Sequence, residues 1–265
     1  MRRSDLAALG ALVALGWRRA AADRIGTAGR LVLYCLLLFI FWELWGATPL
    51  AELGRSDLDK AHLFWYLTVT ECVALGAGQP YRFVEADIRS GAIAAGLTRP
   101  LPYAWATLAD WVGETCHRVI VLAIAGGAAG VAMTGAATFS AALVPVLLAS
   151  LGLACGMVLL CQLQLGYAAA WVGSAAPLFW IWQKLAFVLG GLILPLDLYP
   201  PVLRAIAEAT PFAGMLYAPG SLVLGPSPAF VGATLVRQLL WFAALGAATL
   251  LVDRAMIARF AARGI

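Results

Sequence analysis

The chain has 265 residues, of which 63% are hydrophobic and only 12% charged, with a mean hydropathy of +0.88. A soluble domain carries about twice that charged fraction, so the composition excludes one and points to an integral α-helical membrane protein. A net charge of +4 is too small to argue for nucleic-acid binding, and the placement of the charges matters more than their sum.

Residues 1–28 imitate a secretory signal, with Arg2-Arg3, an apolar run over 6–16 and Ala20-Ala21-Ala22. Against that, Asp5 opens the run and Trp17-Arg18-Arg19 stands before the would-be cleavage site. Leu6, Leu9, Val13 and Trp17 share one helical face, which predicts an amphipathic helix on the inner membrane surface. A first span is expected over 30–48, then a loop carrying Glu52, Arg55, Asp57 and Asp59, then a second span over 61–79.

Residues 81–102, YRFVEADIRSGAIAAGLTRPLP, interrupt the apolar blocks with a pattern of their own. Tyr81, Val84, Ile88 and Ala92 recur at helical spacing, and Arg82, Glu85 and Arg89 flank that stripe. Gly91 and Gly96 loosen the second half, and Arg99-Pro100 ends it, since proline disfavours helix in the residue before it. The pattern predicts a short amphipathic helix between two spans, the kind of element a membrane protein offers to a soluble partner.

The third span is expected to have a polar lower part, with Asp110, Glu114, His117 and Arg118, and an apolar upper part over 119–133. Asp110 and Glu114 read as a wetted helix flank. Spans four, five and six are expected over 140–167, 178–194 and 230–252. Between the last two lies 190–228, too apolar for an ordinary loop and broken by seven prolines. Non-helical backbone at membrane depth survives only where protein or a wet cavity shields it, so a re-entrant cap is expected there. A short helix starting at Pro201 would turn Leu203 and Ile206 to the bilayer and Arg204 and Glu208 to water.

Six spans put both termini and the second connection on one side. That side holds thirteen arginines, from Arg2 through Arg82, Arg89 and Arg99 to Arg263, against Arg55, Lys60 and Arg204 on the other. The positive-inside rule then makes both termini and the 81–102 stretch cytoplasmic.

Several chemistries are excluded. The only lysines, Lys60 and Lys184, lack a G-x-x-x-x-G-K context, so the chain is not a P-loop ATPase by itself. There is no G-x-S-x-G elbow and no H-E-x-x-H. The five cysteines form no C-x-x-C pair and read as small apolar packing residues. No catalytic residue and no metal site are expected.

Two patterns carry a resemblance to a known family. One, after span two, runs Ile88, Gly91, Leu97, Arg99, Pro100, Leu101; the other, after span five, runs Gly191, Pro195, Leu196, Pro200, Pro211, Phe212. With the basic N-terminal helix and the order of spans, the whole chain resembles the permease subunits of type-2 ABC exporters, particularly their compact six-span branch. Between Gly91 and Leu97, relatives place acidic residues and leucines where this chain has Ala92, Ile93, Ala94, Ala95 and Gly96.

The resemblance implies one transmembrane permease unit over 1–265 in a bacterial inner membrane, paired with a second permease, identical or different. It implies that 81–102 is a coupling helix, using Arg82, Glu85, Ile88, Arg89, Gly91, Leu97, Arg99 and Pro100, docked into cytoplasmic P-loop ATPase subunits. ATP and Mg belong to that partner, and this chain holds no cofactor. Residues 190–228 would be an external hairpin that gates release through Gly191, Pro195, Pro200, Pro211 and Phe212. Two other readings stay open: a secondary transporter driven by an ion gradient, and an integral membrane enzyme.

Charges inside the spans sharpen the expectation. A charge at mid-bilayer costs about 2.5–3.5 kcal/mol, so such residues face a cavity or a partner. Glu71 and Lys184 sit at similar depth, as do Glu43 and Arg237. Pairs Glu71–Lys184 and Glu43–Arg237, within or across protomers, are expected to line a translocation path, with snorkelling as the alternative.

Overall fold

Backbone in an apolar setting must satisfy its own N–H and C=O groups, so each long apolar run becomes a helix until glycine or proline stops it. The computed structural model describes residues 3–47, 58–97 and 101–261, and every element in them is helical. In chain order these are α1 (Arg3–Ala22), α2 (Arg24–Ala47), α3 (Lys60–Gly76), α4 (Pro80–Ser90), α5 (Ile93–Leu97), α6 (Tyr103–Thr134), α7 (Val144–Val172), α8 (Ala176–Leu189), α9 (Pro201–Glu208), α10 (Pro211–Met215), α11 (Tyr217–Ser221) and α12 (Pro228–Ala261). The expected loop charges Glu52, Arg55 and Asp57 lie outside the described residues.

Four helices, α2, α6, α7 with its leading turn, and α12, are long and apolar enough to cross a membrane. The other two expected spans are shorter. α3 has 17 residues and α8 has 14, about 25 Å and about 21 Å of helix at 1.5 Å per residue. α3 stops at Gly76-Ala77-Gly78, where Gly78 lies flat against the Trp111 ring and donates its N–H to Thr115 Oγ1. α8 stops at Gly190-Gly191, the latter with a φ of 67° that a side chain disfavours.

Contacts along the helices fix their directions. Tyr34 meets Thr68 and Trp42 meets Phe64, so α2 and α3 are antiparallel. Trp65 meets Thr134 and Gly78 meets Thr115, so α3 and α6 are antiparallel as well. Ser150 pairs with Gln238, Gln164 with Thr249 and Tyr167 with Asp253, so α7 and α12 run parallel. α3 and the middle of α7 form the centre, with Tyr66, Met157 and Leu196 in one cluster. α2 and α12 keep one apolar face outward, for example Phe39, Ile40, Leu240 and Leu251.

α1 does more than lie on a surface. It runs alongside the first half of α6 with Leu9 and Val13 half-buried and Gly16 and Ala20 buried, while Leu6 stays exposed. A Cβ at Gly16 would run into the Asp110 carbonyl, and one at Gly113 into the Val13 carbonyl. The two glycines therefore let the backbones touch. Arg19 then spans to α6, donating to Asp110 Oδ2 at 2.7 Å and Glu114 Oε2 at 2.9 Å. Glu114 also pairs with Arg118. This corrects the expectation of a wetted flank: Glu114 is buried, held between two arginines. Burial alone would lower the Arg19 pKa, but its hydrogen bonds and the charges of the two acids outweigh that and hold it above the ordinary arginine value.

The segment after α8 dives inward. α10 and α11 are buried from Ala213 through Ser221, packed on α3, α7 and α12. Their irregular backbone is satisfied by side chains from the long helices. Tyr66 Oη donates to the Gly191 carbonyl, Thr70 Oγ1 to the Leu192 carbonyl at 2.7 Å, and Gln238 Nε2 to the Gly214 carbonyl at 2.8 Å. α9 lies across the top of this segment, with Val202 and Ile206 exposed and Leu203 half-buried. Its Arg204 does not simply face water: it bridges Asp197 at 3.0 Å and Glu208 at 2.7 Å.

Candidate functional site

α4 begins at Pro80, whose fixed φ suits a first turn, and ends at Gly91, a left-handed cap with a φ of 77°. The 81–102 stretch is therefore not one helix: α4 stops at Ser90, and the short α5 follows after the cap. The apolar stripe is used as expected at Tyr81 and Val84, both buried, and at Ile88, half-buried. Ala92, expected on the same stripe, is exposed, because the left-handed cap rotates the chain and buries Ile93 instead.

Three helices hold α4. Tyr81 stacks on Phe179 of α8 at 4.3 Å between centroids. Val84 lies against Gly166 of α7, where no side chain keeps the two apart, and shares a cluster with Ile93, Tyr103, Leu163, Tyr167 and Met256. Tyr103 at the start of α6 donates to Asp87 at 2.7 Å. The outward face is polar. Arg82 and Arg89 are exposed, Glu85 pairs with Arg89 at 3.6 Å, and Phe83 stands 51% exposed beside them. Of the remaining residues of this motif, Leu97 lies in α5, while Arg99 and Pro100 fall outside the described residues.

Above α4 a cleft of 970 Å³ opens between α2, α3, the lower half of α6 and α8. Its inner end carries Arg30, Arg82 and Arg118 together with Gln79 and Trp111. Its outer end is apolar, walled by Leu37, Phe41, Phe187 and Ile193. Glu71, buried on α3, faces this space and has no ion-pair partner among the described residues.

The expected charge pairs do not form within the chain. α8 turns Gln183 and Phe187 into the cleft, and Lys184, one residue or about 100° on, points out past Trp180 and Phe187 with its Nζ 5.9 Å and 6.0 Å from their centroids. Lys184 is exposed and does not meet Glu71. Arg237 pairs with Glu208 at 3.5 Å instead of Glu43, which is exposed on α2.

The residues expected to form an outer gate fall in the inward-diving segment after α8. Gly191 accepts the Tyr66 hydroxyl; Pro195 and Pro200 flank a short turn over Leu196–Leu198; Pro211 opens α10 with Phe212 half-buried. Around them Asp197 accepts from Tyr217 at 2.8 Å and pairs with Arg204. The hydrogen bond that Arg204 donates to Glu208 raises the Arg204 pKa above its ordinary value, helped by the charge of Asp197.

Sequence reasoning missed Arg19, Arg30, Arg118 and Gln238. The first three counted only as topology charges, yet two of them rim the cleft and the third latches α1 to α6. The signal for the latch was present as Arg19, Asp110 and Glu114, but the pairing crosses 91 residues. No protein-family model matches this chain, and no curated protein matches it significantly.

Proposed function

We propose that this chain is the membrane-spanning permease subunit of an ATP-binding-cassette exporter, working with a second permease and driven by separate cytoplasmic ATPase subunits. The observation that carries this reading is α4. It is clamped to α6, α7 and α8 on its apolar side and leaves Arg89 exposed on the other, while Arg82 and Phe83 line the cleft. A push on such a foot reaches three helices at once, without a hinge to absorb it.

Helix directions support six passes. α2 and α6 both run antiparallel to α3, so the chain must return between them through α3. α7 and α12 run parallel, so it must return between them through α8. The 14 residues of α8 are short for a crossing of about 30 Å, and the re-entrant backbone held by Tyr66 and Thr70 fills the remaining thickness. The end of the bundle that holds α4 also carries Arg18, Arg19, Arg24, Arg30, Arg254 and Arg259, which supports a cytoplasmic foot and cytoplasmic termini in a bacterial inner membrane. Lys184, with Trp180, Ile181, Leu185 and Val188 on an exposed face of α8, supports burial of that face against the second permease.

The test is purification and labelling. A P-loop ATPase co-isolates with the chain, the reconstituted complex shows vanadate-sensitive transport, and a cysteine at position 89 reacts only from the cytoplasmic side. Labelling of position 89 from outside ends the proposal. One observation favours a gradient-driven carrier: Glu71 is a buried acid in the cleft with no ion-pair partner among the described residues. In that case the chain alone transports under a proton gradient, and Glu71→Gln abolishes it.

A further inference from the structure

We infer that the cleft between α2, α3, α6 and α8 binds an anionic amphiphile, a molecule with one phosphate- or carboxylate-type head and an apolar tail, head towards α4. The inference deepens the permease reading by naming its substrate class, but the binding event itself needs neither ATP nor a partner.

Charge and polarity are sorted along the cleft. Arg30, Arg82 and Arg118 meet at the inner end. Glu114 neutralises Arg118, whereas Arg30 and Arg82 have no carboxylate partner among the described residues; Arg82 donates only to the Tyr81 hydroxyl at 3.0 Å. Asp23, held on the Gly26 N–H, adds one carboxylate near Arg118, which leaves the Arg30 and Arg82 guanidiniums at this end to receive phosphate or carboxylate oxygens. Beyond them the wall turns apolar through Leu37 and Phe41 to Phe187. From Arg30 to Phe41 α2 rises about 16 Å, close to half of the roughly 30 Å hydrocarbon core.

A head at the arginines thus places a tail along the depth of one leaflet. α2 packs on α3 and α6, and α8 on α7 and the cap, so the cleft lies between two groups of helices. Glu71, deeper in, works against a second negative charge, which limits the ligand to one head at the rim.

The probe is hexadecyl phosphate carrying a diazirine in its chain, photolysed with the full-length protein in nanodiscs of zwitterionic lipid, the attachment sites read by peptide mapping. Label is expected on residues 30–41 and 183–193. Unlabelled hexadecyl phosphate removes it, hexadecyltrimethylammonium does not, and millimolar inorganic phosphate does not. Arg30→Gln with Arg82→Gln lowers labelling at least tenfold. Ala74→Trp, which fills the cleft and leaves the arginines in place, lowers it similarly; the unfolding midpoint of each variant verifies its fold.

Equal competition by the cationic amphiphile, or undiminished labelling of the double arginine variant, overturns the inference. Competition by inorganic phosphate overturns the amphiphile and leaves a plain anion site. Labelling without any co-isolating ATPase keeps the site and removes the exporter; an ATPase-coupled complex without labelling does the reverse.

Discussion

Removing the Arg19–Glu114 contact tests whether α1 is latched to α6 or merely lies beside it. Glu114 is 6% exposed at its side chain and sits between Arg19, 50% exposed, and Arg118, 18% exposed. Glu114→Gln strips Arg118 of its carboxylate in a largely buried setting, where breaking one side of a pair costs about 3 kcal/mol. Arg19→Gln removes a half-exposed arm while Arg118 still neutralises Glu114, so its cost is about 1 kcal/mol. Both single changes break the same 2.9 Å contact, and only Arg19→Gln also loses the 2.7 Å bond to Asp110, so the double variant should lose about 3.5 kcal/mol and not the sum, a coupling of about 0.5 kcal/mol. Unfolding of the four proteins in mixed micelles of graded denaturing detergent measures this. Salt adds an internal control. Raising ionic strength from about 0.1 M to 1 M shrinks the screening length from about 10 Å to 3 Å, so the Arg19 arm should weaken while the Arg118 arm changes little. Additivity within about 0.3 kcal/mol, or a coupling indifferent to salt, refutes the latch.

Three further outcomes are expected. Gly166→Val drives a side chain into Val84, since even a Cβ there would lie 2.7 Å from Val84 Cβ; α4 shifts off α7, and ATP-driven transport by the reconstituted complex falls at least tenfold with helix content by circular dichroism unchanged. Gln238→Leu leaves the buried Gly214 and Ser150 carbonyls without their donor, costing about 2 kcal/mol in unfolding midpoint, whereas Leu239→Ala, on the exposed side of α12, costs far less. Asp59 caps α3 by accepting the His62 N–H at 2.9 Å; burial alone would raise its pKa, but the hydrogen bonds from His62 hold it below the ordinary carboxylate value. A lowered folded pKa means the cap stabilises α3 fully above the unfolded value of about 3.9 and loses that contribution as pH falls through the folded value. Amide exchange at residues 60–63 should therefore quicken below about pH 4, and in Asp59→Ala it should be fast at every pH.

The helices were legible because a chain in hydrocarbon has few alternatives: every expected span is a helix, and the breaks fall at Gly76, Gly173 and Gly190 within a few residues of their expected positions. The Tyr81–Val84–Ile88 stripe was legible for the same reason, since three residues at helical spacing need only one partner face. What sequence could not give was azimuth. Lys184 and Glu71 lie at comparable depth, yet a rotation of one residue sends Lys184 outward and brings Gln183 to the cleft; depth is linear in residue number and readable, while facing direction depends on which helices pack together. Glu114 was misjudged because its environment is decided by α1, a neighbour 95 residues away in sequence, reached only because Gly16 and Gly113 allow backbone contact.

The same logic explains the inward-diving segment. Its prolines and apolar composition predicted a shielded re-entrant segment over 190–228, but not which side chains would shield it. Burial became tolerable through Tyr66, Thr70 and Gln238, three polar residues on otherwise apolar helices. In a strongly hydrophobic sequence an isolated polar residue on a span points to an acceptor beside it, a helix carbonyl for Thr68 and Thr249 and irregular backbone for Tyr66 and Thr70. Arg30 and Arg82 extend that argument from backbone to ligand. Neither has a carboxylate partner among the described residues, and both line the cleft.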